Sequence, residues 1–146
     1  MPPPTDPQAL AEACAAAMWA EDTASQGLGM QLEAVGPGTA RMAMPVRDGM
    51  VNGHGMCHGG FIFTLADSAF AFACNSRNAK CVAAGGSINV LRPARLGDTL
   101  TATAGNDLNT QLDLERDLQG MASRTEDHKE GVTAFLEKRP AQFKGR

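Results

Sequence analysis

An α+β fold is the class this sequence predicts, and three observations predict it. Two weakly alternating runs, Met30 to Val35 and Thr39 to Val46, flank Gly36-Pro37-Gly38. A long apolar run, Phe61 to Cys74, follows a stretch crowded with glycine and histidine. Beyond residue 106 the character changes: residues 107–146 hold 15 charged side chains in 40 positions, against 14 in the first 106. Strands followed by charged, helix-patterned sequence argue for an α+β layout, with 1–106 as the core and 107–146 as a helical segment packed on it.

Taken in order, Asp6 to Ala20 reads as a helix. Asp6 can cap it, Pro7 suits the first turn, and Ala, Leu and Glu follow. The runs at 30–35 and 39–46 form a hairpin around a tight turn. Arg47 to Cys57 is a Gly-rich loop, and Phe61 to Ser76 is a buried helix. Ala79 to Leu91, with Val82, Ile88, Val90 and Leu91, reads as a strand that bends at Gly85-Gly86. Pro93 to Asp98 is a turn and Thr99 to Ala104 a further strand. Leu108 to Met121 is an amphipathic helix. Ser123-Arg-Thr-Glu126 fits a capping box that opens a last helix through Arg139, which Pro140 ends.

Composition excludes several classes of function. A length of 146 residues suits one core, and a net charge of -3 gives no reason to expect nucleic acid or an anionic membrane as partner. No run of about 18 apolar residues is present, so no transmembrane helix is expected. The opening residues lack a basic region and Glu12 interrupts the Ala-rich stretch, which predicts a cytoplasmic protein. Cys14, Cys57, Cys74 and Cys81 show no metal or redox spacing, and disulfides are not expected. Cys57 reads as a small apolar filler, with a nucleophile as the alternative. Three histidines without spaced Cys or Glu partners predict no metal. No cofactor is expected.

The informative segment is Asn52-Gly-His-Gly-Met-Cys-His-Gly-Gly60, which runs into Phe-Ile-Phe-Thr-Leu-Ala-Asp67. The run from Phe61 is apolar on every side of a helix, which predicts burial. A carboxylate at Asp67 is then costly unless it has a partner or a purpose. A structural Asp67, bonded to a backbone group or to Thr64, is the bland alternative. Equally bland are His58 as a helix cap and Asn52 as a left-handed turn residue. Arg92 and Arg95 read as a solvated loop, with contact to phosphates as the alternative.

Asn52-Gly-His, Cys57-His-Gly-Gly60, Leu-Ala-Asp67-Ser-Ala-Phe70-Ala and Ala-Cys74-Asn-Ser resemble the hotdog-fold acyl-CoA thioesterases of the phenylacetate-degradation type. Ile88-Asn-Val-Leu-Arg-Pro93 and Gly97-Asp-Thr-Leu-Thr-Ala-Thr103 extend the resemblance, which covers roughly residues 8 to 105. The tail departs from it. In place of two further long strands, Leu112-Asp-Leu-Glu-Arg-Asp-Leu118 and Glu130-Gly-Val-Thr-Ala-Phe-Leu-Glu-Lys-Arg-Pro140 resemble the C-terminal helices of enoyl-CoA hydratases/isomerases.

The resemblance implies a hotdog fold, an antiparallel sheet wrapped around a long central helix, with its final strands replaced by C-terminal helices. It implies hydrolysis of aryl-acetyl-CoA, phenylacetyl-CoA or hydroxylated derivatives, to free acid and CoA. Asp67 would be the general base or the nucleophile. The Gly59 N–H, at a helix N-terminus, would polarise the thioester carbonyl with Gly60 in support. Asn52 and His58 would position the reacting groups, and His54, Gly60 and Thr64 would meet substrate. Gly60 and Asp67 lie about 10 Å apart along one helix, so two antiparallel helices of paired subunits would build each site. A homodimer or homotetramer follows. The alternatives are a catalytically impaired hotdog protein whose tail serves only structure, and a hotdog hydratase, which would want a His paired with an acid.

Overall fold

The computed structural model describes residues 3–105 and 123–144. The chain divides into two compact units, Met1–Gly105 and Asn106–Arg146.

In the first unit, helix α1 spans Pro7–Glu21, and the Asp6 carboxylate accepts from Ala9 N–H at 2.8 Å as its N-cap. A short helix α2, Thr23–Gly27, follows at once, with Asp22 as its cap. Strand β1 (Gln31–Gly36) and strand β2 (Thr39–Pro45) form the expected hairpin, with Gly38 at φ +87° in the turn. A bulge interrupts the register between Leu32 and Ala34. Strand β3, Thr99–Ala104, pairs antiparallel with β2, giving the order β1-β2-β3. A Cβ on Gly105 would overlap the Gly38 carbonyl, so glycine permits the close return of the chain at that corner.

Helix α3, Gly59–Asn75, packs on β2 and β3, and α1 packs on β1. The core lies between them. Met42, Met44, Leu65, Ala69, Phe72 and Ala73 are buried there. The alanines let the helix approach the sheet closely. Phe72 fills the gap and meets Trp19 of α1 at a ring separation of 6.1 Å. Burying a phenylalanine of this kind contributes roughly 2–3 kcal/mol. Ser76 Oγ donates to Ala73 O at 2.8 Å and accepts from Gly38 N–H at 2.7 Å, which ties the end of α3 to the hairpin turn.

Two expectations fail in this unit. Residues 79–91 form no strand and are exposed throughout. Their β-branched residues suit a strand, but strand propensity is realised only against a partner, and β3 pairs only with β2 among the described residues. Helix α3 is also not buried on all sides. One face meets the sheet, while Phe63 and Phe70 on another are 37% and 45% exposed. Apolar periodicity reports which faces avoid water; it does not say whether the same chain covers them.

In the second unit, helix α4 spans Glu126–Leu136. Its cap is Thr125, whose hydroxyl accepts from His128 N–H at 3.1 Å, and not Ser123. Glu126 and Asp127 in the first turn complement the helix dipole. The helix stops three residues before Arg139 because Lys138 turns to φ +53°. Arg139 grips Glu130 through two bonds of 2.6 and 2.9 Å and meets Glu137 at 2.6 Å. That pairing holds the Glu130 carboxyl down at about 2. The expected helix over 108–121 lies outside the described residues. Among the described residues no helix is long and apolar enough to cross a membrane.

Candidate active site

The loop ahead of α3 is built by short-range bonds. Asn52 Oδ1 accepts from His54 N–H at 2.9 Å and Met56 N–H at 3.3 Å. Gly55, at φ +72°, donates to Asn52 O at 3.0 Å and closes the turn. Asn52 therefore organises the loop through its side chain, with negative φ, and not as a left-handed residue. Backbone bonds from Cys57 N–H to Ala94 O and from His58 N–H to Met50 O, both 2.8 Å, anchor the loop's end. Cys57 is 5% exposed, and burial pushes its thiol up. The His54 side chain is exposed.

His58 caps α3. Its Nδ1 accepts from Gly60 N–H at 3.0 Å, and its ring meets Phe61 edge-on. This assigns the ring proton of the neutral imidazole to Nε2. Phe61 N–H bonds the His58 carbonyl at 3.0 Å. The Gly59 N–H has no partner among the described residues, and nothing lies within 4 Å of where its Cβ would be. Of the two glycine amides expected to act on a carbonyl, Gly59 is open and Gly60 is occupied. Thr64 Oγ1 donates back to Gly60 O at 2.8 Å.

Asp67 is exposed in the single chain, not buried as the apolar run implied. Its carboxylate bonds neither Thr64 nor any other described residue, so the structural alternative for it has no support here. It lies in a groove of about 460 Å³ with Phe63, Ala66 and Phe70 of α3 on one side and residues 83–86 on the other. The spacing Phe63, Asp67, Phe70 places two aromatic rings and the carboxylate on one helix face. The residues of this aromatic wall were visible in the sequence, but their opposition to 83–86 was not. Gly59 and Asp67, eight positions apart, are separated by about 12 Å along the axis. Arg92 and Arg95 are exposed.

A second hollow, about 330 Å³, lies within the second unit among Glu126, Asp127, Glu130, Arg139, Gln142 and Lys144. There Arg139 pairs with Glu130, and Asp127 Oδ1 accepts from the Lys144 N–H at 2.6 Å.

Residues 54–105 match the family model of the thioesterase superfamily. The chain is 48% identical over 88 residues to acyl-coenzyme A thioesterase PaaI of Escherichia coli (strain K12), covering 60% of this chain and 63% of that protein. It thus spans less than two thirds of that curated relative. The solved E. coli PaaI structure, from the phenylacetic acid degradation operon, superposes with a TM-score of 0.66 and 44% identity. The superposition covers 67% of this chain and 71% of that one. A different relative matches a shorter stretch. The 1,2-epoxyphenylacetyl-CoA isomerase of E. coli (strain K12) is 61% identical over 41 residues, 28% of this chain and 16% of that enzyme. The helix-on-sheet arrangement of the first unit is the hotdog fold of its structural neighbours.

Proposed function

The chain belongs to the thioesterase superfamily, and from that premise we propose that it hydrolyses acyl-CoA thioesters, with aryl-acetyl-CoA as the preferred class. The observation that carries this reading is the pairing of two open groups on one helix. Among the described residues Asp67 has no hydrogen-bond partner in its aromatic-flanked groove, and the Gly59 N–H is unpaired at the helix start.

The chemistry follows from their placement. A thioester oxygen gains charge when its carbon is attacked, and a helix N-terminal N–H stabilises that charge. Asp67 either takes a proton from water or attacks the carbon itself; both require a free carboxylate. The thiolate of CoA departs without strong acid assistance. The axial separation of about 12 Å keeps Gly59 and Asp67 of one helix from reaching the same carbon. Two chains with α3 helices antiparallel bring Gly59 of one to Asp67 of the other, and the exposed Phe63 and Phe70 supply an apolar face for that pairing. The active species is then a homodimer or a higher assembly of dimers.

Asn52 holds the loop, His58 holds the first turn, and His54, exposed on the loop, lies free to meet substrate. Phe63 and Phe70 flank the groove with rings that suit an aryl group. The E. coli relative carries the name acyl-coenzyme A thioesterase, and its solved structure comes from a phenylacetic acid degradation operon, which agrees with this substrate class.

The test is release of free thiol from phenylacetyl-CoA by the chain and by Asp67→Asn. Loss of an acid–base group costs about 10²–10⁴ in rate. Equal turnover by the two proteins rejects the role of Asp67. No turnover by either, on a panel of acyl-CoAs and with the dimer intact, rejects hydrolysis and leaves a structural protein.

A further inference from the structure

The groove beside Asp67 has an unusual far wall. Residues 83–86 belong to a segment without regular secondary structure, exposed along its length. Among the described residues, no hydrogen bond joins 82–93 to the rest of the unit. The segment is held at its two ends. At the far end Cys57 N–H bonds Ala94 O. At the near end the fastening is one side chain, Asn75.

Asn75 is the last residue of α3, and its amide makes three bonds. Nδ2 donates to Ala71 O at 2.9 Å and to Cys81 O at 3.0 Å, and Oδ1 accepts from Cys81 N–H at 2.9 Å. The amide thus pairs with both backbone groups of Cys81, as a neighbouring strand would. Between them the chain reverses: Asn78 N–H bonds Asn75 O at 3.1 Å with Asn78 at φ +58°, a conformation asparagine tolerates better than most residues. The reversal sends the chain back along α3, where Gly86 comes against the Phe63 ring. A Cβ there would stand 3.3 Å from Phe63 Cζ.

The geometry points to Asn75 as a positioning residue that fixes residues 83–86 over the Phe63–Asp67–Phe70 face and so sets the fit of the acyl group. The inference rests on the thioesterase reading above. Asn75 touches neither the groove nor the reacting atoms; it acts through Cys81. Without it, among the described residues, the wall has no hydrogen-bonded fastening until Ala94. A bulky acyl group that uses the wall loses its contacts, and an acetyl group does not.

The full chain and its Asn75→Ala and Ser76→Ala variants are compared on phenylacetyl-CoA and acetyl-CoA. Binding of an uncleavable phenethyl-CoA thioether and amide exchange at 81–86 are measured alongside. Ser76 ties the same helix end to the hairpin turn, so its variant reports the effect of destabilisation alone. Asn75→Ala is expected to raise KM for phenylacetyl-CoA and Kd for the thioether about tenfold, the effect of losing one or two net hydrogen bonds. Its kcat and its KM for acetyl-CoA are expected to stay near those of the parent, with exchange at Cys81 accelerated. Ser76→Ala is expected to lower stability with KM unchanged.

If the parent is active and Asn75→Ala leaves the phenylacetyl-to-acetyl KM ratio unchanged, or Ser76→Ala moves it equally, the positioning role is overturned and the thioesterase reading stands. If the parent neither hydrolyses the thioesters nor binds the thioether, the thioesterase reading falls and this inference falls with it.

Discussion

His58 Nδ1 accepts the Gly60 N–H at 3.0 Å, and this one bond divides the two glycine amides at the start of α3. Gly60 is occupied and Gly59 is open. In the proposed mechanism His58 therefore acts on the site through the backbone it caps. His58→Ala is expected to lower stability by about 1 kcal/mol, the usual worth of an N-cap. His58→Asn and His58→Ser supply a capping oxygen and are expected to restore most of that stability. If activity returns with stability in these variants, the imidazole serves as a cap. Activity that stays low while stability recovers would show a chemical role for the ring. Thermal melts beside thiol-release rates read both.

The Gly59 donor can be removed without breaking the helix. Gly59 is the first residue of α3, the position where proline is best tolerated. His58 before it lies at φ -63° and ψ 132°, the extended conformation a residue before proline prefers. Gly59→Pro is expected to fold with stability near the parent and to lose about 10²–10³ in kcat, the loss typical for one oxyanion donor. Full activity in a folded Gly59→Pro protein would remove Gly59 from the mechanism.

Cysteine exposure gives a test of the loop. Cys57 is buried, donates weakly to the His58 carbonyl at 3.7 Å and has its thiol pushed up by burial, whereas Cys81 is exposed. Iodoacetamide at neutral pH is expected to modify Cys81 first and Cys57 only on unfolding. Peptide mapping after brief treatment reads the order. Rapid modification of Cys57 would show that the loop opens.

The second unit has an acid-sensitive link. Arg139 holds the Glu130 carboxyl at about 2, below its ordinary 4.5. A carboxyl lowered on folding contributes stability that is fully present above about 4.5 and is lost as pH falls toward 2. Glu130→Gln is expected to destabilise α4 near neutral pH, with the difference from the parent shrinking over that window. Glu130 is exposed to solvent screening, so the effect is modest. Carboxyl NMR titration and amide exchange in α4 follow it. An ordinary midpoint for Glu130 would show that the pair does not persist in solution.

Much of this fold was legible because its signals are local. Asp6 and Pro7 marked α1, Gly36-Pro37-Gly38 marked the hairpin, and alternating threonines marked β3. The candidate site was legible in its residue types. What escaped depends on partners distant in sequence. The run 79–91 has strand-forming residues, but nothing in it says whether a neighbouring strand is present. The pattern around Asp67 announced an apolar helix without saying that the sheet covers one face only. Asn75 gave no signal, because a side chain pairing with a backbone six residues on follows no periodic rule. The cap of α4 was misplaced by two residues because Ser123 and Thr125 are both good capping types, and only the fold chooses between them.

In the proposed mechanism each active site draws its donor and its carboxylate from different chains. Asp67→Asn and Gly59→Pro are each expected to be nearly inactive alone. Co-assembled in equal amounts, they form mixed dimers in which one site unites an intact Gly59 with an intact Asp67. The mixture is expected to recover about a quarter of the parent rate, as random pairing of two subunits requires. A mixture shown to contain mixed dimers, yet no more active than its two components apart, would contradict the shared site.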